Sequence, residues 1–151
     1  MTDLPAIPES TNRYCGPAAI AAIAGITPDD AADKLAFARN AIAHHMTSVT
    51  AKGMKFTTAA EIKRALRLLK VFMTSVDQTD ARLAPLPKET FKAWAARTED
   101  LRRDRTLLVN AGRHWRVVRG WQSVCGQKRT PHHTNCAVSP RSQVAAVYIV
   151  G

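Results

Sequence analysis

Hydrophobic residues follow a helical spacing in the first half of the chain and a strand-like spacing in its last third. An alanine-rich apolar run over residues 16–24 ends at Gly25, which is typical of a helix C-terminus. Thr27 and Pro28 indicate the start of a second helix, because threonine caps helices well and proline suits the first turn. The apolar face of this second helix is predicted to hold Ala31, Leu35, Ala38 and Ile42.

A third helix is indicated by the sequence TAAE at residues 58–61, which matches a capping box. Its buried stripe is predicted to hold Ile62, Leu66 and Leu69 at helical spacing. A strand is expected to begin at residues 71–73, and a further helix is expected around residues 89–97.

The last third of the chain has the pattern of strands. Apolar segments at 106–110, 114–121 and 144–150 predict them, whereas the polar, turn-rich stretch 122–143 is not assigned. Because helices precede strands, we expect an α+β fold in which N-terminal helices pack on a C-terminal antiparallel sheet. Residues 1–151 are expected to form a single domain, with 1–13 as an extended leader.

Composition narrows the class of protein. The chain has 151 residues, of which 46% are hydrophobic, and this favours a globular protein with a substantial core. No apolar run approaches the roughly 20 residues of a membrane span, so no membrane partner is expected. Three cysteines, an odd number, argue against a disulfide framework. We expect a cytoplasmic protein at synthesis, with association with a virion as a further setting.

The formal net charge of +10 indicates attraction to anionic partners. Nucleic acids and other anionic surfaces would be attracted non-specifically. The sequence contains no zinc finger, recognisable helix-turn-helix or paired strand aromatics, so a basic nucleic-acid-associated protein is the second alternative for its function.

The candidate chemistry lies in two distant segments. Cys15 precedes Gly16 and Pro17 at the start of the first helix, where exposed amides and the helix dipole favour a thiolate. His114 lies at the start of an apolar strand, in the sequence GRHWRVV. A thiol and an imidazole in these contexts indicate a nucleophile–base pair, although each residue alone is more often structural.

The segments RYCGPAA at 13–19 and GRHW at 112–115 resemble the papain-like cysteine peptidases. The chain is most similar to compact bacterial and phage-type relatives of the bacteriocin-processing peptidases. The segment TPDDAA at 27–32 and the threonine-led helix at 54–69 resemble the elements that follow in that group. The resemblance implies a papain-like fold, with the nucleophile at the start of the central helix.

The resemblance also implies roles for individual residues. Cys15 would be the nucleophile and His114 the general base. The backbone N–H of Cys15 would stabilise the oxyanion, with Asn12 as a side-chain donor. Asn12 is the expected donor because Glu9 occupies the position where the group typically has a glutamine, and an ionised glutamate cannot donate a hydrogen bond.

The third member of the triad departs from the pattern as well. The group usually has an Asp or Asn on the strand after the histidine, whereas this chain has the sequence VCGQ at 124–127. Gln127 is the expected orienting residue, with Gln122 and Asn110 as alternatives, since a neutral amide can orient an imidazole. Peptides or proteins are the expected substrates of such a hydrolase. The first alternative is a degenerate papain-like module that binds a protein partner in a phage assembly.

No cofactor or metal is expected, but one group of residues has the chemistry of zinc ligands. The group consists of Cys125, His132, His133 and Cys136. Its spacing matches no standard zinc finger, and a polar loop with incidental cysteines explains it equally well.

Overall fold

The computed structural model describes residues 3–10, 14–43 and 57–151 of the chain. This part contains five α-helices and one six-stranded antiparallel sheet, so the expected α+β class is confirmed. The helices are α1 (Cys15–Ala24), α2 (Pro28–Ala43), α3 (Ala59–Leu68), α4 (Val76–Thr79) and α5 (Phe91–Arg102). The strands are β1 (Met73–Ser75), β2 (Thr106–Ala111), β3 (His114–Arg119), β4 (Gln122–Cys125), β5 (His132–His133) and β6 (Val144–Val150), in the spatial order β1-β6-β2-β3-β4-β5.

The sheet separates two apolar clusters. Trp115 and Val117 of β3 pack in the cluster that contains α1, α2 and α3. Val118 packs with Phe91 and Trp94 of α5 in the other cluster. Successive residues of a strand point to opposite faces, so β3 contributes to both layers. Helix α1 therefore lies against one face of β3, and α5 lies on the opposite side of the sheet.

A tight turn fixes the start of β3. Gly112 and Arg113 connect β2 to β3, and their φ angles of 59° and 63° are those of a type I′ turn. This turn sets the register in which Ala111 pairs with His114. A Cβ at Gly112 would lie 2.6 Å from Oγ of Ser142, so glycine is needed here for space as well as for its φ angle.

The predicted helix boundaries and faces are largely confirmed. Gly25 ends α1 with a φ of 71°, and its N–H donates to the carbonyl of Ala21. The predicted face of α2 is buried at Ala31, Leu35 and Ala38, whereas the side chain of Ile42 lies outside the described part of the chain.

Other expected boundaries were wrong by several residues. The helix expected at 89–97 begins at Phe91 and continues to Arg102. The strand expected at 114–121 ends at Arg119, where Gly120 and Trp121 form a turn into β4. Residues 3–10 of the expected leader have no helix or strand, and they pack on the domain, because Leu4 and Ile7 are both buried.

The capping box of α3 is present and is linked to α2. Oγ1 of Thr58 accepts from the N–H of Glu61 at 3.2 Å, and Oε1 of Glu61 accepts from the N–H of Thr58 at 2.8 Å. Nε of Arg39 on α2 donates to Oε2 of Glu61. Burial acts to raise the pKa of the Glu61 carboxyl, but the Thr58 N–H and the Arg39 guanidinium outweigh it, so this pKa lies below its ordinary value.

Among the described helices, none has the length and the apolar character needed to cross a lipid bilayer.

Replacing Glu61 with glutamine is expected to destabilise the protein. The amide can still cap α3, but the negative charge beside Arg39 is lost, which we expect to cost about 1–2 kcal/mol. Urea denaturation at neutral pH measures this cost, and Asp33→Asn, which removes an exposed carboxylate from α2, is the control.

The pH dependence gives an independent check on Glu61. A carboxyl whose pKa is lowered by folding stabilises the protein above its ordinary pKa and loses this effect as the pH falls through the folded value. The stability difference between wild type and Glu61→Gln should therefore shrink at acidic pH. A difference that stays constant would contradict this role of the ion pair.

Candidate active site

The candidate nucleophile is positioned by the first turn of α1. Tyr14 is the N-cap with extended angles, φ −71° and ψ 141°, and its carbonyl accepts from the N–H of Ala18 at 3.1 Å. Pro17 suits this turn because its missing N–H would have no intrahelical partner. No described side chain caps this helix end, so the positive end of the helix dipole lies at the half-buried thiol of Cys15.

A close approach between α1 and the start of α3 determines where this turn lies. Gly16 has no room for a side chain, because a Cβ there would lie 2.3 Å from Oγ1 and 2.8 Å from Cβ of Thr57. The backbone carbonyl of Thr57 accepts a hydrogen bond of 2.8 Å from Nε1 of Trp115. Thr57 thus contacts the residue that follows Cys15 and the residue that follows His114.

The structure brings Cys15 and His114 to the same small cleft. The cleft lies at the junction of the α1 N-terminus with the first residues of β3 and the end of β4, and its free volume is about 10 Å³, enough for about one water molecule. Its walls consist of Cys15, His114, Arg116, Cys125, Gly126, Gln127 and Val138.

The thiol and the imidazole share this cleft without a direct bond. No hydrogen bond joins Sγ of Cys15 to the ring of His114, both of which lie in the described part of the chain. His114 and Arg116 lie on the face of β3 opposite Trp115, because successive residues of a strand point to opposite faces. Helix α1 packs on the Trp115 face, so the thiol of Cys15 and the imidazole of His114 meet at the end of β3 where His114 begins the strand. Catalytic hydrogen bonds are often long before substrate binds, so the arrangement is compatible with a nucleophile–base pair.

The other expected site residues have different outcomes. Gln127 is exposed and lines the cleft, where an orienting residue is needed. Asn12 lies outside the described residues. Gln122 does not line the cleft, because it is buried on β4 and its Oε1 accepts from the N–H of Leu4 at 2.8 Å. Asn110 is also absent from the cleft walls and pairs with Trp115 on the neighbouring strand.

The four residues with zinc-ligand chemistry do not form a metal site. Within residues 3–10, 14–43 and 57–151, no three His, Cys, Asp or Glu side chains are grouped to hold a metal ion. Nδ1 of His132 lies 2.9 Å from the carbonyl of Thr130, and Nδ1 of His133 accepts from the N–H of Asn135. Cys125 is buried beside the cleft, whereas Cys136 is exposed, and both are free thiols. These side chains stabilise the loop itself.

Part of the positive charge is paired with carboxylates of the same chain. Arg82 and Arg105 both pair with Asp80, and hydrogen bonding to Arg82 lowers the pKa of the Asp80 carboxyl to about 2. Arg97 donates to both carboxylate oxygens of Glu89 at 2.8 Å. These arginines are held by carboxylates, which reduces the charge that they offer to a polyanion.

Arg116 and Cys125 line the cleft but were not predicted to do so from the sequence. Arg116 and Cys125 are cross-strand partners on β3 and β4, and both are buried. The alternation HWRVVR places Arg116 on the same face as His114, which was the available signal. The partner strand β4 lies in the stretch that had no assignment, so the position of Cys125 was not predicted.

Compared with models of known protein families, with curated proteins and with solved structures, the chain gives no match. The chain is an α+β protein with a cleft whose walls include a thiol, an imidazole and a buried guanidinium.

Gly16→Ala is expected to disturb the candidate site through Thr57. The new methyl group would overlap the Thr57 side chain, and we expect a loss of stability of about 1–3 kcal/mol together with an altered alkylation rate at Cys15. Thermal and urea denaturation measure the first effect, and iodoacetamide labelling measures the second.

Two variants serve as controls for this substitution. Gly151→Ala adds the same methyl group at a glycine with no atom within 4 Å of the new position. Adding Thr57→Ala to Gly16→Ala removes Oγ1, the nearest atom, and should restore part of the stability. If Gly16→Ala is as stable as Gly151→Ala, the close approach does not constrain α1.

Proposed function

We propose that this chain is a papain-like cysteine hydrolase that acts on an acyl bond in a peptide or protein. The observation that supports it most directly is the shared cleft of Cys15 and His114, at a helix N-terminus and a strand start. These residues lie about a hundred positions apart in the sequence, so the fold had to bring them together.

In the proposed reaction, His114 accepts the thiol proton and Cys15 attacks the carbonyl carbon of the substrate. The tetrahedral intermediate collapses when the C–N bond breaks, and the imidazolium returns the proton to the leaving amine. Water, deprotonated by His114, then attacks the thioester carbonyl. The acid product leaves, and the proton held by His114 returns to the sulfur of Cys15.

The start of α1 supplies the stabilisation of the oxyanion in this proposal. The backbone N–H of Cys15 lies at the positive end of the helix dipole, where a developing negative charge is favoured. Gln127, on the cleft wall, is the proposed partner that orients the imidazole of His114. Because the free volume of the cleft is small, the main chain of the substrate would cross its mouth.

Iodoacetamide labelling of the individual cysteines tests the nucleophile. Cys15 is expected to react faster than the exposed Cys136 by about tenfold or more, because His114 would accept the thiol proton as the sulfur attacks the reagent. His114→Gln should bring the Cys15 rate close to that of Cys136. Peptide mass spectrometry after brief labelling gives the three rates from a single sample.

Formation of an acyl-enzyme tests catalysis directly. Incubation with an activated acetyl ester should acetylate Cys15 and then release acetate, and Cys15→Ala should abolish both steps. His133→Gln is the matched histidine control, since His133 is exposed on β5 and does not line the cleft. Equal labelling of Cys15 and Cys136 that is insensitive to His114→Gln would overturn the proposed nucleophile.

A second candidate function is supported by a different observation. The cleft walls contain no carboxylate among the described residues, and no hydrogen bond joins the thiol to the imidazole. Such a cleft also suits a binding module that has lost turnover. In that case Cys15→Ala would leave partner binding unchanged, and no acyl-enzyme would form in wild type.

A further inference from the structure

A buried cation forms part of the wall of the candidate site. Arg116 lies on β3 and is only 2% exposed. Its Nη2 donates to the carbonyl of Ser139 at 3.2 Å, and its guanidinium carbon lies 4.6 Å from the ring centroid of Phe91. Its Nη1 is buried and has no hydrogen-bond partner among the described residues. A buried donor without a partner costs free energy, so a ligand atom that accepts a hydrogen bond from Nη1 would stabilise the protein.

A second buried arginine, Arg102, shows how this fold provides hydrogen-bond acceptors for a guanidinium that has a structural role only. Arg102 is fully buried, and its three nitrogens donate to Oγ1 of Thr98 and to the carbonyls of Gly120 and Ala95. Arg102 lines none of the cleft, whereas Arg116 does. The unsatisfied nitrogen is therefore on the arginine that borders Cys15 and His114.

The described surroundings of Arg116 contain no carboxylate that would balance its charge. Burial lowers the pKa of Arg116 from its ordinary value, and the cross-strand neighbour Cys125 acts in the opposite direction. A guanidinium stays protonated near neutral pH even so. Its charge acts through a low-dielectric cleft wall, where it is screened less than it would be on the surface.

We propose that the cleft contains a carboxylate subsite, in which Nη1 of Arg116 binds a carboxylate of the ligand whose acyl group faces Cys15. Arginine suits this role because its planar guanidinium donates in fixed directions to carboxylate oxygens. The inference rests on the proposed function, because it names the ligand chemistry of the same cleft. The carboxylate belongs either to the C-terminus of a peptide or to an acidic side chain.

A pair of alkylating reagents that differ in charge tests this subsite. Iodoacetate carries a carboxylate, and iodoacetamide is its neutral counterpart. The rate of labelling by iodoacetate divided by the rate of labelling by iodoacetamide therefore reports the preference for an anion at each cysteine. The ratio at Cys15 is expected to exceed the ratio at the exposed Cys136 by about tenfold at low ionic strength. Cys136 corrects for the net positive charge of the whole chain.

Variants assign the preference to one side chain. Arg116→Gln should reduce the ratio at Cys15 to that at Cys136, and Arg116→Lys should retain part of it. Arg64→Gln, which removes one positive charge from the exposed side of α3, should leave the ratio unchanged.

Protection experiments on wild type keep the proposal testable if Arg116→Gln does not fold. Acetylated peptides should slow iodoacetamide labelling of Cys15 when they carry a carboxylate. Protection by a peptide with a free C-terminus identifies the C-terminal carboxylate as the group that binds Arg116. Protection by an amidated peptide with an internal glutamate identifies the carboxylate of an acidic side chain as that group. Absence of protection by both peptides would overturn the subsite.

The two proposals fail in different ways. Equal iodoacetate-to-iodoacetamide ratios at Cys15 and Cys136 in wild type would overturn the carboxylate subsite, even if Cys15 is highly reactive. A raised ratio that depends on Arg116 would support the subsite, even if His114→Gln leaves the iodoacetamide rate unchanged and the hydrolase proposal fails.

Discussion

The contact of Thr57 with Gly16 on one side and Trp115 on the other determines the geometry of the candidate site. Thr57 leaves no space for a side chain on Gly16, and its carbonyl accepts the indole N–H of Trp115. Each contacted residue directly follows one of the two groups of interest, Cys15 and His114. A shift of one residue along β3 would move Trp115 to the other face of the sheet and break this link. A single junction of α1, α3 and β3 thus holds both segments in place.

Features determined by nearby residues could be predicted from the sequence. The capping box of α3 forms between residues 58 and 61, and the N-terminal position of Cys15 follows from Gly16 and Pro17 beside it. The I′ turn before His114 is equally local, since both of its positive φ angles lie in the residues that connect the strands. These interactions involve chain neighbours, so their pattern is visible in the sequence.

Features determined by distant residues could not be predicted in the same way. Strand β4 begins with Gln122 and Ser123, which are polar and yet buried. Their burial depends on pairing with β3 and β5, and on the N–H of Leu4, which donates to Gln122 across 118 positions in the sequence. A short polar strand has no apolar alternation, so only the neighbouring strands define it. Since β4 carries Cys125, the place of this thiol in the cleft wall was not predicted, although Gln127 of the same wall was.

The cleft has fixed positions for its reacting groups but an unbalanced charge. Cys15 and His114 are held by the junction at Thr57, whereas Arg116 brings a positive charge to the wall with no carboxylate among the described cleft residues. A ligand that supplies the missing negative charge would satisfy Nη1 and would also be held beside the thiol, so one interaction would both bind and orient it. A neutral amide of the same shape could also accept a hydrogen bond from Nη1, but it would leave the positive charge of Arg116 unbalanced. On the proposed function, selectivity for acidic ligands would therefore come from the charge of Arg116, which no carboxylate among the described cleft residues balances.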